Sequence, residues 1–201
     1  MLKTQGPLHL VNMNYIEDKT YKDSNFQLTT FEIGEYENCN FVNCDFSNTN
    51  LSEINFNGCR FTGCNLSLAK LSKTAFREVK FNECKLLGLL FDDCNPFGIE
   101  FSFETCLLNH ASFFKMKLKK TVFKNCQLIE TDFSECDLTS STFYNCDLSG
   151  ATFDATILEK ADFRTSYNYT IDPENNRIKK AKFALPEVLG LLNKYDIVIE
   201  K

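Results

Sequence analysis

From Phe26 to Phe91 every fifth residue is Phe, Leu or Tyr. A helix repeats its apolar face every 3.6 residues and a strand every 2, so a sustained period of five belongs to neither. Ile16 and Tyr21 extend the beat backwards. At "CNPFGIEFSF" it stumbles, resumes two positions out of step at Phe103, and alternates Phe and Leu to Phe163; Ile178 and Phe183 still keep this second register. The residue two before each beat is small or apolar (Cys39, Cys44, Thr49, Ile54, Ala69, Ala111, Thr121), and the three between are mostly polar. Each unit therefore offers two inward and three outward side chains, as a short strand followed by a turn does.

A unit this short cannot bury its own apolar face and must stack on copies of itself. The stretches "CDFSN", "CNLSL", "CDLTS", "CDLSG" and "ADFRT" resemble the consensus of the pentapeptide repeat family. That resemblance implies an all-β chain: a right-handed quadrilateral β-helix, four units to a coil, with a short C-terminal helix. Residues twenty apart then stack, the slip near Pro96 being absorbed as a bulge or loop. Phe41, Phe61, Phe81, Phe103, Phe123, Phe143, Phe163 and Phe183 fall in one column, Leu66, Leu86, Leu108, Leu128 and Leu148 in the next. The expected organisation is an N-terminal cap over 1–15, a solenoid over 16–183 with an irregularity near 95–102 and a loop near 166–177, and a C-terminal helix and short strand over 184–201. At roughly 4.8 Å per coil the solenoid is a rod about 40 Å long.

The ten cysteines raise a disulfide or metal reading. Six of them (Cys44, Cys64, Cys84, Cys106, Cys126 and Cys146) stack in one inward column, where a cysteine is a small apolar filler. Stacked Cβ atoms about 4.8 Å apart exceed the usual ~3.5–4.5 Å of a bridge. Neither CxxC nor a Cys/His cluster points to a metal, and no cofactor is expected. His9 and His110 lie far apart with no partnered nucleophile, and no nucleotide-binding or hydrolase motif occurs, so an enzyme is not expected. With no charged start followed by a long apolar run, neither a signal peptide nor a membrane span is expected, and the expected compartment is the cytoplasm.

Function then falls to surface. A net charge of −5 disfavours direct nucleic-acid binding. Sorting outward positions by face puts Glu32, Glu53, Asp92, Asp93, Asp132, Glu135 and Asp154 on one side against Lys70, Lys73 and Lys115. The adjacent side adds Asp45, Glu130 and Asp147 against Lys85. A rod acidic on one side can engage a basic groove built for DNA, with Glu53, Asp92, Asp93, Asp132, Glu135 and Asp154 as contacts; the alternative is a solvated surface serving solubility. Leu87, Leu90, Leu107 and Phe114 take outward slots on the same two faces and form a candidate apolar partner patch, unless the register shifts locally and buries some of them.

The end "LPEVLGLLNKYDIVIEK" abandons the beat. Pro186 suits a helix start, Leu185, Val188, Leu189, Leu192 and Tyr195 make a stripe at helical spacing, and Ile197, Val198 and Ile199 read as a strand. This tail, with "GIEF" at the slip and the Phe- and Cys-rich coils, resembles the Qnr group of pentapeptide repeat proteins. The resemblance implies a bacterial, rod-like homodimer joined through the C-terminal helix. It also implies DNA gyrase or topoisomerase IV as partner and protection against quinolones. A scaffold or regulator binding another cytosolic protein is the alternative.

Overall fold

The structure is a computed structural model and describes residues 14–200. Most of the cap expected over 1–15 lies outside the described residues; Asn14 and Tyr15 belong to the first strand. One face of the solenoid carries β1 (Asn14–Glu17), β3 (Gly34–Glu37), β5 (Asn55–Asn57) and β7 (Ala75–Arg77), paired in that order. The next carries β2 (Thr20–Lys22), β4 (Asn40–Val42), β6 (Arg60–Thr62), β8 (Val79–Asn82), β9 (Phe101–Glu104), β10 (Val122–Lys124) and β11 (Thr142–Tyr144). All pairs are parallel and twenty residues apart before the slip, as in Phe41↔Phe61. The other two faces are held by single bridges such as Asp45↔Asn65 and Asp132↔Thr152.

The coil closes because most units of five end in a left-handed residue. Asn38, Asn43, Glu78, Lys120 and their equivalents have φ of 52°, 53°, 53° and 63°, a conformation that glycine and asparagine adopt cheaply and other residues do not. The corner N–H is nonetheless satisfied by the next coil, as Lys120 N–H donates to Thr139 C=O at 3.0 Å. At the outward position before several inward residues an Asp or Asn tidies the same turn: Asp132, before Phe133, and Asp147, before Leu148, accept the N–H of Ser134 and Ser149 at 2.8 and 3.1 Å.

The inward columns stand as the spacing implies. Tyr21, Phe41, Phe61, Phe81, Phe103, Phe123, Phe143, Phe163 and Phe183 form one stack, with neighbouring centroids between 4.6 and 5.5 Å apart and planes within 19°. Phe91, Phe113, Phe133 and Phe153 stack on the opposite side and meet the first stack edge to face, Phe113 to Phe123 at 5.9 Å. Such offset and T-shaped contacts add to the burial of the rings themselves.

All ten cysteines are free and buried. Eight of their Sγ atoms donate to carbonyls of the coil below, Cys64 to Phe41 at 3.3 Å and Cys146 to Phe123 at 3.4 Å. Burial pushes the Cys59 and Cys136 thiols up to about 12, far from the reactive thiolate. Thiol titration of native protein is therefore expected to find few fast-reacting groups, and all ten after denaturation without reductant. Several disulfides in protein purified under reducing conditions would refute the packing role.

Across the slip the register becomes twenty-two, Val79↔Phe101 and Phe81↔Phe103. The two extra residues bow outward between Asn95 and Glu100, leaving Phe97 79% exposed. Gly98 stands where a beat residue is due and has no side chain to insert. Phe101, in a slot that holds Cys59 and Thr121 in other coils, fills the space instead, 5.4 Å from the Phe91 ring.

Two expectations for the chain after 163 are corrected. The segment 166–177 is no projecting loop: Asp147↔Tyr167 and Ile157↔Arg177 keep the twenty-residue register, and Tyr169 and Ile171 point inward in place of the missing beat residues. Among its described residues the tail holds no α-helix and no strand. It forms two 3-10 turns, Glu187–Leu191 and Asn193–Tyr195, and residues 197–199 are irregular. An α-helix this short is marginal by itself, and the tail docks through one point that suits the tighter turn. Gly190 lies so close to the Tyr169 carbonyl that a Cβ there would stand 2.1 Å from its oxygen, and Ile171 N–H donates to Gly190 C=O at 3.2 Å.

Candidate interaction surfaces

The bridge Leu90↔Ser112↔Asp132↔Thr152 runs up the more acidic face and places Asp92, Asp132 and Asp154 beside it. Glu53, Asp93 and Glu135 stand at its corner. Their corner column also contains Lys73 and Lys115, and one coil step joins opposite charges: Lys73 to Glu53 at 3.4 Å and Lys115 to Glu135 at 3.5 Å. Exposed pairs like these add little stability, but they cancel much of the field of two of the six predicted contacts. Asp132 already serves its turn and Asp154 accepts from Asn175. The carboxylates turned to solvent without an ion pair are thus Asp92, Asp93, Asp132 and Asp154. On the adjacent face the bridge Asp45↔Asn65↔Lys85↔Leu107↔Gln127↔Asp147 mixes signs and neutral residues.

Leu87, Leu90, Leu107 and Phe114 all occupy outward positions, so the register holds beside the slip. Leu90 is 49% exposed, and Leu87, Leu107 and Phe114 are half-buried. They do not form one column. Leu107 follows Lys85 in its ladder and Leu90 pairs with Ser112 two positions before Asp92, while Lys115 Nζ lies 4.5 Å over the Phe114 ring. Leu68, at a corner on the same side and 60% exposed, enlarges the patch; its outward slot in "CNLSL" was the available signal.

At the C-terminal end the 3-10 geometry rearranges the predicted stripe. In a 3-10 turn residues three apart eclipse, so Leu189, Leu192 and Tyr195 share one line and are all exposed. Val188 is half-buried, Leu185 is largely exposed before the first turn, and Leu191, absent from the stripe, packs on the core. Lys194 clamps the tail to the last coil through Asp172 at 2.7 Å and Glu174 at 2.6 Å, which holds both carboxyls below their usual range. The clamp pairs residues twenty or more apart in an aperiodic region, and no spacing announces it.

Among the described residues no group of His, Cys, Asp or Glu is placed to hold a metal ion, and no helix is long and apolar enough to cross a membrane. A family model described as a pentapeptide repeat region matches residues 34–113 and 99–183. No curated protein sequence matches the chain. Among solved structures the chain is similar to HetL, a pentapeptide repeat protein involved in heterocyst differentiation regulation in the cyanobacterium Nostoc, at 18% identity, covering 85% of this chain and 87% of that one with a TM-score of 0.60. It is also similar to QnrB1, a plasmid-mediated fluoroquinolone resistance protein, at 21% identity over 92% of this chain and 100% of that one, with a TM-score of 0.49.

Proposed function

This chain belongs to the pentapeptide repeat family, and from that premise we propose that it is a non-enzymatic interaction protein that binds a type II topoisomerase as a partial DNA mimic and protects it from quinolones. The observation that supports this reading is the row of carboxylates, Asp92, Asp93, Asp132 and Asp154, on a stiff rod, beside an apolar patch able to seat a partner. The rod is stiff because each ring is held between rings above and below. The Qnr-like sequence features supply the choice of partner. The test is a gyrase supercoiling assay with and without a quinolone. At micromolar protein the expected result is inhibition of supercoiling alone or rescue in the presence of the drug, and neither effect would reject the reading.

A second reading, a scaffold or regulator for another protein, is favoured by the ion pairs on the acidic face. B-DNA carries one charge per about 1.7 Å of axis, whereas this face has an excess of four carboxylates (seven acidic, three basic) over about 40 Å. We further propose that two copies meet end to end through Leu189, Leu192 and Tyr195.

A further inference from the structure

On the face carrying β1, β3, β5 and β7 the sheet stops at β7, and pairing resumes only at Lys117↔Asp137. Between them the bowed residues 95–100 open a cleft of about 670 Å³. Five cationic side chains line it, Arg60, Lys80, Lys117, Lys119 and Lys120, against two carboxylates, Glu78 and Glu100. Lys119 is held by Asp137 at 3.1 Å; the other four cations make no ion pair among the described residues. In a chain of net charge −5 this is a local reversal of sign. It stands at the corner shared by the two sheet-bearing faces, one corner along from the acidic corner.

The lining is not only charged. Ile99 is half-buried and Val122 is 42% exposed, so an apolar floor lies between the cations. A polynucleotide approaching this floor would bring its charge up against the net negative field of the rod. A peptide carries few charges, and when extended it sends alternate side chains to opposite sides, about 6.6 Å apart on each side. The geometry points to a docking site for a short extended segment of a partner protein that alternates acidic and apolar residues. Its carboxylates are taken by Arg60, Lys80, Lys117 and Lys120, and its apolar side chains rest on Ile99 and Val122. The site goes beyond the topoisomerase reading and uses none of the residues of the acidic row, so either can fail without the other.

The experiment is fluorescence anisotropy of a short labelled peptide alternating Glu and Val, titrated with the full chain at low salt. Saturable binding is expected, weakened about tenfold or more by Lys80→Glu with Lys120→Glu. Lys80→Arg with Lys120→Arg should retain it, and so should Asp132→Asn on the acidic face. Circular dichroism checks that each variant is folded; should the Glu pair unfold, Lys80→Gln with Lys120→Gln carries the same expectation. The assignment is overturned by the absence of saturable binding or by undiminished binding to the charge-reversed or neutralised pair. It is equally overturned if labelled oligothymidine binds more tightly than the peptide, or if equimolar inorganic phosphate displaces it.

Discussion

Replacing Phe123 by alanine is expected to cost about 3–5 kcal/mol, the usual loss for a fully buried phenylalanine. Its ring is 0% exposed. It stacks on Phe103 at 5.2 Å and Phe143 at 4.9 Å, and meets Phe113 and Phe133 edge to face at 5.9 and 5.8 Å. The void cannot collapse easily, because the backbone on either side is held in parallel register, Phe103↔Phe123↔Phe143. A domain of this kind is stable by about 5–15 kcal/mol, so the change removes a large share of the total. Each coil also touches only its neighbours, so the defect weakens the joint between the halves of the rod. The measurement is urea unfolding: the midpoint should fall well below that of the wild type, and the transition should broaden or split if the halves then unfold separately. An unchanged midpoint would show that the ring column does not carry the stability assigned to it.

The second large effect concerns assembly. Leu189→Asp together with Leu192→Asp is expected to convert an end-to-end dimer into a monomer. The two side chains lie on the outer line of the 3-10 turns, 39% and 36% exposed, so the lone chain already keeps them in partial contact with water. Buried at a two-fold contact, an unpaired carboxylate is costly, and symmetry makes each change count twice. The tail itself should stay docked, since it is held from its other side by Gly190 against Tyr169, by Leu191 on the core and by Lys194 on Asp172 and Glu174. Sedimentation or light scattering should therefore report a monomer whose β-rich circular dichroism matches the wild type. If the wild type is itself monomeric across micromolar concentrations, the tail is a lid on the last coil and the proposed contact does not exist.

What the sequence by itself determined is the interior: the twenty-residue super-period, the stack from Phe41 to Phe183, the buried thiols and the position of the slip, while the four-sided form of the coil came from the family resemblance. These were legible because coils of equal length convert sequence spacing directly into spatial columns, and an inward slot admits only apolar or small side chains. The outward slots carry no such filter, and there the tertiary structure decided. It joined Glu53 to Lys73 and Glu135 to Lys115 across one coil step, turned most of the corner residues left-handed, and opened a cationic cleft where two extra residues at 95–100 interrupted a sheet. It also replaced the expected α-helix by 3-10 turns, since at the end of a rod there is no further coil to impose the repeat. The conformation of the tail is then chosen by its contacts with Tyr169, Ile171, Asp172 and Glu174, residues that lie about twenty positions earlier in the chain.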